Sequence, residues 1–206
     1  MYNQGIVVYE IELPADSHIF QIVVHDIGLI FIDDAFAASM DRQANKTHTF
    51  SFECTTKVKL QIMVEAMGHI NFDTGMNTDR KGLIQFTRVK GSGDLNNWAM
   101  YKLPLTYSSI QSAKGYKLNS RPLLGRYNFD LEQVGDTFFN MQNYSKGYLW
   151  INGRNLGRFW HKGPQYKLFC PGVWLKPKGN ELIVMELNAT SLKPITGDQT
   201  LKATEL

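Results

Sequence analysis

Cysteine is scarce in this sequence, and its scarcity argues against two classes of protein. The 206 residues contain two cysteines, Cys54 and Cys170, and five dispersed histidines. Neither cysteine has a neighbour at zinc-ligand spacing, and the histidines form no H-x-x-x-H pair. The cysteines also fall in halves that we assign to separate domains, so we expect free thiols. A zinc domain and a disulfide-stapled scaffold are therefore both disfavoured.

Long apolar runs and basic tracts are also missing. No run approaches the roughly 18 apolar residues that cross a membrane, and residues 1–4 do not begin a secretory signal. The net charge of +3 arises from lysines and arginines scattered among acidic residues, so no basic stripe is available for phosphates. We therefore expect a soluble chain whose partners include neither a membrane nor nucleic acid.

No long amphipathic helix is present, whereas the features of short strands are frequent. The chain is 43% apolar and 12% aromatic, and its 17 glycines accompany regular turn signals. This composition favours an all-β fold with a packed core. The length suits one large domain or two small ones.

A strand, a tight turn and a polar-aromatic segment follow one another in the second half. Residues 148–151 are β-formers without a helical period. Asn152 and Gly153 supply the two positive-φ positions of a type I′ turn. The pattern predicts a β-hairpin that leads into a loop over residues 154–165.

The second half of the chain repeats the pattern of the first. Four blocks recur after a shift of about 120 residues: 10–13 as 128–131, 28–34 as 147–153, 49–50 as 167–168, and 60–65 as 181–186. The repeat predicts two tandem sandwiches at residues 1–110 and 111–206. We place the link in the turn-rich segment 108–120, and the strand before it could belong to either sandwich.

One strand in each copy is apolar on both faces. One face carries Leu29 and Phe31 in the first copy, and Tyr148 and Trp150 in the second, while the alternate residues fill a core. A second sheet covers only one face of a strand. We therefore expect the other face to pack against a loop or a neighbouring domain, or to form an exposed apolar patch.

Longer motifs in both halves resemble one known family. They are Val24-His25-Asp26, Asp41-Arg42, residues 64–73, Asp79-Arg80-Lys81-Gly82, and residues 146–160, 163–165, 168–177 and 180–187. Together they resemble the C-terminal domains of the β-galactosidases of glycoside hydrolase family 35, in particular those of its gut-bacterial members, over nearly the whole chain. His69 stands where that family usually has an arginine.

This resemblance implies a fold and a role. The fold would be two tandem galactose-binding-like jelly-roll β-sandwiches. The parent would be a retaining β-galactosidase of carbohydrate metabolism, periplasmic or secreted. Its catalytic glutamates would lie on a preceding (β/α)₈ barrel, which needs about 250 residues and a pattern that this chain does not show. We therefore assign no catalytic residue and expect the barrel of the parent chain to be the partner.

The segment after the hairpin is the best candidate for a binding site. It combines guanidinium and amide donors with an indole, the groups that hold sugar hydroxyls and stack on a pyranose ring. The candidate residues are Arg154, Asn155, Arg158, Trp160, His161 and Gln165. They suggest an alternative function, autonomous recognition of galactose-containing glycans. Arg158 and Trp160 could instead fasten the hairpin to its own sandwich or fill a seam between domains.

The acidic residues have simpler interpretations than catalysis. Asp33 and Asp34 align with the hairpin turn of the second copy, and we expect them to be turn formers. Asp73, Asn77 and Asp79 form an oxygen-rich turn, as a calcium site requires, although isolated acids in turns are more often caps. We predict no cofactor, with a structural calcium ion at this turn as the alternative.

Overall fold

The computed structural model describes residues 4–72, 74–112, 121–163 and 166–201. By its internal contacts the chain divides into a first unit, Met1–Leu105, and a second unit, Thr106–Leu206. Antiparallel strands dominate both units, which confirms the predicted all-β fold class. Within the described ranges, no helix is long and apolar enough to cross a membrane.

The first unit is a sandwich of two antiparallel sheets. Its strands are β1 (Gln4–Leu13), β2 (Asp16–His25), β3 (Ile27–Ile32), β4 (Ala35–Asp41), β5 (His48–Cys54), β6 (Val58–Met67), β7 (Gly82–Lys90) and β8 (Ala99–Leu103), with a 3-10 helix at Thr74–Asn77. One sheet has the order β4-β3-β6-β1-β8, and the other has the order β5-β2-β7. Because β8 pairs with β1, the strand whose assignment was open belongs to the first sandwich.

The second unit begins with a short helix and then forms two more sheets. Its elements are α1 (Tyr107–Ser112), β9 (Leu123–Phe129), β10 (Thr137–Asn140), β11 (Lys146–Ile151), β12 (Arg154–Trp160), β13 (Lys167–Cys170), a 3-10 helix (Gly172–Trp174), β14 (Asn180–Glu186) and β15 (Thr196–Asp198). The sheet orders are β12-β11-β14-β9 and β13-β10-β15. Part of the predicted link is therefore helical.

The two units repeat one topology strand for strand. The order β4-β3-β6-β1 corresponds to β12-β11-β14-β9, and β5-β2-β7 corresponds to β13-β10-β15. The second residue of β3 and of β11 is glycine in both copies. A Cβ at Gly28 would meet the Met40 side chain at 2.6 Å, and one at Gly147 would meet the Phe159 ring at 2.7 Å. Both copies therefore need glycine where neighbouring groups approach the strand closely.

The pairing register corrects the sequence alignment of β6 with β14. Ile32 pairs with Leu60 in the first unit. Ile151 pairs with Leu182 in the second unit. Leu60 therefore corresponds to Leu182, whereas the sequence pattern aligned it with Glu181. A shift of one residue turns every side chain of a strand to the opposite face, so packing of the core decides the register.

A second correction concerns β1 and β9. Leu13 pairs with Val58 in the first unit. Asn180 takes the place of Val58 in the second unit, and it pairs with Phe129. Leu13 therefore corresponds to Phe129, and its predicted counterpart, Leu131, lies beyond the end of β9.

Each unit has a core of its own between its sheets. The largest fully buried side chains include Phe20, Ile22, Ile30, Leu60 and Ile62 in the first unit, and Leu149, Ile151 and Phe159 in the second. Aromatic rings interlock within these cores; Phe20 and Phe86, for example, have ring centres 4.4 Å apart. Burying one such side chain contributes about 1.5–3 kcal/mol. The cores therefore supply most of the force that holds the sheets together.

The second apolar faces of β3 and β11 are also buried. The exposed fractions are 3% for Leu29, 7% for Phe31, 7% for Tyr148 and 0% for Trp150. The expectation of an exposed apolar patch was therefore wrong. A strand that is buried on both faces has apolar side chains on both of them.

Helix α1 contributes to this cover in the second unit. Arg126 of β9 and Ile183 of β14 lie in line with Trp150 across the sheet. From that row, the Arg126 guanidinium donates to the Ile110 carbonyl of α1 at 2.9 Å. Ile110 itself is 1% exposed. The helix is therefore fastened to the outer face of the sheet.

Both cysteines are free thiols, as predicted. Cys54 is half-buried in the first unit, where its Sγ lies 3.4 Å from the Pro14 carbonyl oxygen. Cys170 is buried in the second unit, and burial raises the pKa of its thiol to about 11. A thiol with so high a pKa is unreactive at neutral pH, so Cys170 serves as a small core residue.

Candidate functional site

The predicted binding segment is mostly a strand. β12 covers Arg154–Trp160 and pairs antiparallel with β11 at the edge of its sheet. The prediction of a loop was wrong here, because a two-residue turn returns the chain directly into pairing with the preceding strand. The side chains of β12 therefore alternate between the two faces of a sheet.

Reciprocal hydrogen bonds fix the turn before β12. Asn152 and Gly153 have φ angles of 48° and 86°, as the predicted type I′ turn requires. The Asn152 amide donates to the Glu181 carbonyl at 2.9 Å, and the Glu181 amide donates to the Asn152 side-chain oxygen at 2.9 Å. The Asn152 side-chain amide donates in turn to Asn180 Oδ1 at 2.9 Å and to the Trp174 carbonyl at 2.7 Å. The predicted hairpin is thus confirmed.

The register of β12 separates the candidate residues. Trp160 and Arg158 lie towards one end of the strand, where Trp160 pairs with Lys146. Arg154 lies at the other end, and its guanidinium carbon stands 5.0 Å from the centre of the Trp174 ring. At about 3.3 Å per residue, Arg154 and Trp160 are about 20 Å apart along the strand. One monosaccharide cannot contact both.

The Trp160 ring is half-buried and has cations close to it. The ammonium groups of Lys146 and Lys162 lie 5.1 and 4.9 Å from its centre. Lys146 is only 4% exposed, whereas Lys162 is at the surface. Each such cation–π contact contributes about 0.5–2 kcal/mol. A sugar that stacked on Trp160 would have to compete with these lysines for the ring.

Most of the other candidates make local contacts. Asn155 Oδ1 accepts a hydrogen bond from the Gly157 amide at 2.6 Å. The His161 amide donates to the Ser145 carbonyl at 2.7 Å, and its ring Nδ1 lies 3.0 Å from the same oxygen. Gln165 lies outside the residues that the structure describes. The described candidates therefore do not converge on one pocket.

A second group of charged side chains lies in the first unit. Asp26 and Asp79, each 6% exposed, share one guanidinium nitrogen of Arg42, at 3.0 and 2.7 Å. The Lys81 ammonium lies 2.9 Å from both Asp26 carboxylate oxygens and 3.1 Å from Asp79 Oδ2. We call these four residues the charge cluster. Its two acids and two bases neutralise one another.

The charge cluster joins the ends of several strands. Asp26 lies between β2 and β3, Arg42 follows β4, and Asp79 and Lys81 precede β7. The Asp26 carboxylate also accepts a hydrogen bond from the Met67 amide at the end of β6, at 2.8 Å. The cluster therefore holds together the connections at one end of the first sandwich.

Both acids of the charge cluster are ionised at neutral pH. Burial alone would raise the pKa of Asp79, but hydrogen bonds from Lys81 and Arg42 outweigh burial and lower that pKa to about 2. The pKa of Asp26 is also lowered: burial opposes the shift, and the Met67 amide and the same two bases produce it. A catalytic acid of a glycosidase must instead keep its proton at the working pH.

The position of Asp79 bears on the calcium alternative. Its carboxylate faces Arg42 and Lys81, whose charges would repel a calcium ion. Asp73 lies outside the described residues. A calcium ion needs 6 to 8 oxygen ligands that are free of such partners, so Asp79 is a poor ligand. His69 has its Nδ1 3.9 Å from Asp79 Oδ2.

The residues of the charge cluster stand out in the sequence only as parts of separate motifs. A signal was present for Asp26, which lies directly between two strands where an unpaired charge would be costly, but Asp79 lies in the connection before β7. Their shared partner Arg42, however, lies 16 residues from Asp26 and 37 from Asp79. Sequence spacing alone does not reveal such a pairing.

Both units match models of known domain families. A model described as "Beta-galactosidase, first all-beta domain" matches residues 1–104, and one described as "Beta-galactosidase, galactose-binding domain" matches residues 122–180. Beta-galactosidase-1-like protein 3 of Rattus norvegicus is 31% identical over 190 residues, which are 88% of this chain and 29% of that protein. Beta-galactosidase 1 of Dictyostelium discoideum is 30% identical over 208 residues, 89% of this chain and 31% of that protein.

The chain thus spans less than a third of the length of these curated relatives. Among solved structures, the apo form of a lectin from Pleurotus ostreatus is similar over 91% of this chain and 69% of that chain. Its sequence identity is 12% and its TM-score is 0.32, so the similarity is too weak to assign a fold or a function.

Proposed function

The chain belongs to the β-galactosidase family, and we propose that it is a non-catalytic portion that supports the catalytic barrel of a longer, retaining β-galactosidase. The observation that carries the proposal is that both units match β-galactosidase domains, one described as all-beta and one as galactose-binding. In this proposal the charge cluster and the Asn152 turn are structural devices that keep the two sandwiches rigid.

The chemistry of the charge cluster supports a non-catalytic role. Retaining hydrolysis uses two carboxyl groups about 5.5 Å apart, one of which is protonated. Asp26 and Asp79 are close enough together to be compared with such a carboxyl pair, because both lie within 3.0 Å of one Arg42 nitrogen. Both are ionised and buried, and cations fill the space between them. Neither can protonate a leaving group or reach an anomeric carbon.

A buried acid of the second unit has an equally structural role. Glu186 is 0% exposed. Its carboxylate accepts hydrogen bonds from the backbone amides of Ser145 at 2.8 Å, Lys146 at 3.2 Å and Asn188 at 2.8 Å. The Lys146 amide is buried and the other two are part-buried, and a buried amide without a partner costs about 1–3 kcal/mol. The acid therefore completes the backbone hydrogen bonding at the start of β11.

The test compares the 206-residue chain with its parent polypeptide on a chromogenic β-galactoside. We expect the parent to hydrolyse the substrate, with the first sugar released in the anomeric form of the substrate, and the chain to show no turnover above buffer. The matched variants are Asp79→Asn and, as an exposed acid, Glu132→Gln. Turnover by the chain that Asp79→Asn abolishes and Glu132→Gln leaves intact would overturn the proposal, as would an inactive parent.

A further inference from the structure

The connection between β6 and β7 exposes three large apolar side chains. Ile70 is 38% exposed, Phe72 84% and Met76 48%. Single exposed apolar residues are ordinary on a protein surface, whereas several that lie close together often mark an interaction site. A Cβ on Gly75 would meet the Ile70 side chain at 2.9 Å, so Ile70 lies beside the residue that precedes Met76. We call these three residues the apolar loop. Phe72 is the largest of them and the most exposed.

The backbone of the apolar loop is fastened to the charge cluster. The Ile70 amide donates to the Asp79 carboxylate at 3.2 Å, and the Met67 amide, just before the loop, donates to Asp26 at 2.8 Å. Past Met76, the amide of Asp79 donates to the Gly75 carbonyl at 2.9 Å. The charge cluster therefore anchors the backbone on both sides of Phe72, at Ile70 and at Asp79.

The apolar loop lies beside the start of the first strand. β1 begins at Gln4, which pairs with Met67 across the sheet. A domain joined upstream of Gln4 would therefore enter next to the base of the loop. Such a tether gives an effective concentration in the millimolar range, so a modest apolar contact suffices for docking.

We propose that the apolar loop is the docking surface for the catalytic barrel of the parent polypeptide, joined upstream of Gln4. This inference rests on the proposed function and adds to it the surface through which the support acts. The chain covers 29% of the length of its rat relative, so a relative of that kind has ample additional chain to form the partner. Phe72 is the anchor, since large aromatic side chains dominate the energy of protein interfaces.

The experiment measures protection of the loop by cysteine labelling. Phe72→Cys and Met100→Cys are made in the 206-residue chain and in the intact parent, and each is labelled with an uncharged maleimide and followed by peptide mass spectrometry. Met100 is the matched control because it is 67% exposed in the same unit, on β8, away from the loop. We expect Phe72→Cys to react about 100-fold more slowly in the parent than in the chain, and Met100→Cys to react equally in both.

The outcomes separate this inference from the proposed function. A parent that hydrolyses the galactoside but labels at Phe72→Cys as fast as the chain would overturn the docking surface and leave the proposed function standing. Equal protection of Met100→Cys in the parent would also overturn it. Protection within the isolated chain that grows with concentration would assign the loop to a second copy of the chain. An inactive parent would remove both proposals together.

Discussion

Asp33 and Asn152 occupy the same position in the two units and make the same reciprocal pair of hydrogen bonds. The Asp33 amide donates to the Lys59 carbonyl at 2.9 Å, and the Lys59 amide donates to the Asp33 carboxylate at 2.8 Å. Asn152 makes both bonds with Glu181, at 2.9 Å each. Asp33 and Asp34 have φ angles of 48° and 65°, so their interpretation as turn formers is confirmed. In each unit, the turn ties a hairpin to the neighbouring strand.

Removing the Asn152 side chain is expected to destabilise the second unit. Asn152→Ala removes one hydrogen bond to the buried Asn180 and the side-chain acceptor of the Glu181 amide, and it keeps a residue with a Cβ at positive φ. We expect the free energy of unfolding to fall by about 2–4 kcal/mol. Urea denaturation measures the change, and Asn128→Ala, at an exposed position of β9, should have little effect. Equal stability of the two variants would contradict the structural role of the turn.

The charge cluster makes a separate prediction for the first unit. Arg42→Ala leaves two buried carboxylates with Lys81 as their remaining cationic partner in the cluster, so the cluster becomes negatively charged. We expect a loss of about 2–3 kcal/mol, towards the low end for a broken ion pair because the Arg42 side chain is 31% exposed. The control is Arg80→Ala, which removes an exposed guanidinium nearby. Thermal unfolding that is the same for both variants would rule out this role.

The lowered pKa of Asp79 predicts how stability depends on pH. Its pKa is about 2 in the folded chain, below the ordinary value of about 3.9 in the unfolded chain. Its contribution is therefore fully present above the unfolded pKa and is lost as the pH falls through the folded value. Asp79→Asn should flatten the dependence of unfolding free energy on pH between about 4 and 2. Glu132→Gln, an exposed acid, is the control.

Galactose titration tests the carbohydrate-binding alternative. Arg154 and Trp160 are far apart on β12, and lysines lie close to the Trp160 ring. We therefore expect the indole NMR signal of Trp160 to stay unmoved up to millimolar galactose, the range in which small sugar sites typically bind. A saturable shift that Trp160→Ala abolishes, with the fold intact by circular dichroism, would favour a binding module instead.

The sequence motifs led to the correct family, but they did not show which polar side chains lie close together. The segment after Gly153 was predicted as a loop from its dense polar and aromatic composition, yet pairing with β11 makes most of it a strand. The composition of a segment shows which chemical groups it contains. The face and the end of the strand on which each side chain lies decide which of these groups can contact the same ligand. The charge cluster shows the converse, since its members are distant in sequence and meet only in the fold.

Local chemistry in the sequence determined the strands, the Asn152-Gly153 turn and the duplication, because alternation of apolar residues and positive φ angles are properties of short segments. The tertiary structure decided the rest. Whether Leu60 matches Glu181 or Leu182 depends on which side chain the core accepts. Whether Asp26 is a free acid or half of an ion pair depends on Arg42, which the sheet topology brings to it. Register and charge pairing are long-range, and no short segment encodes them.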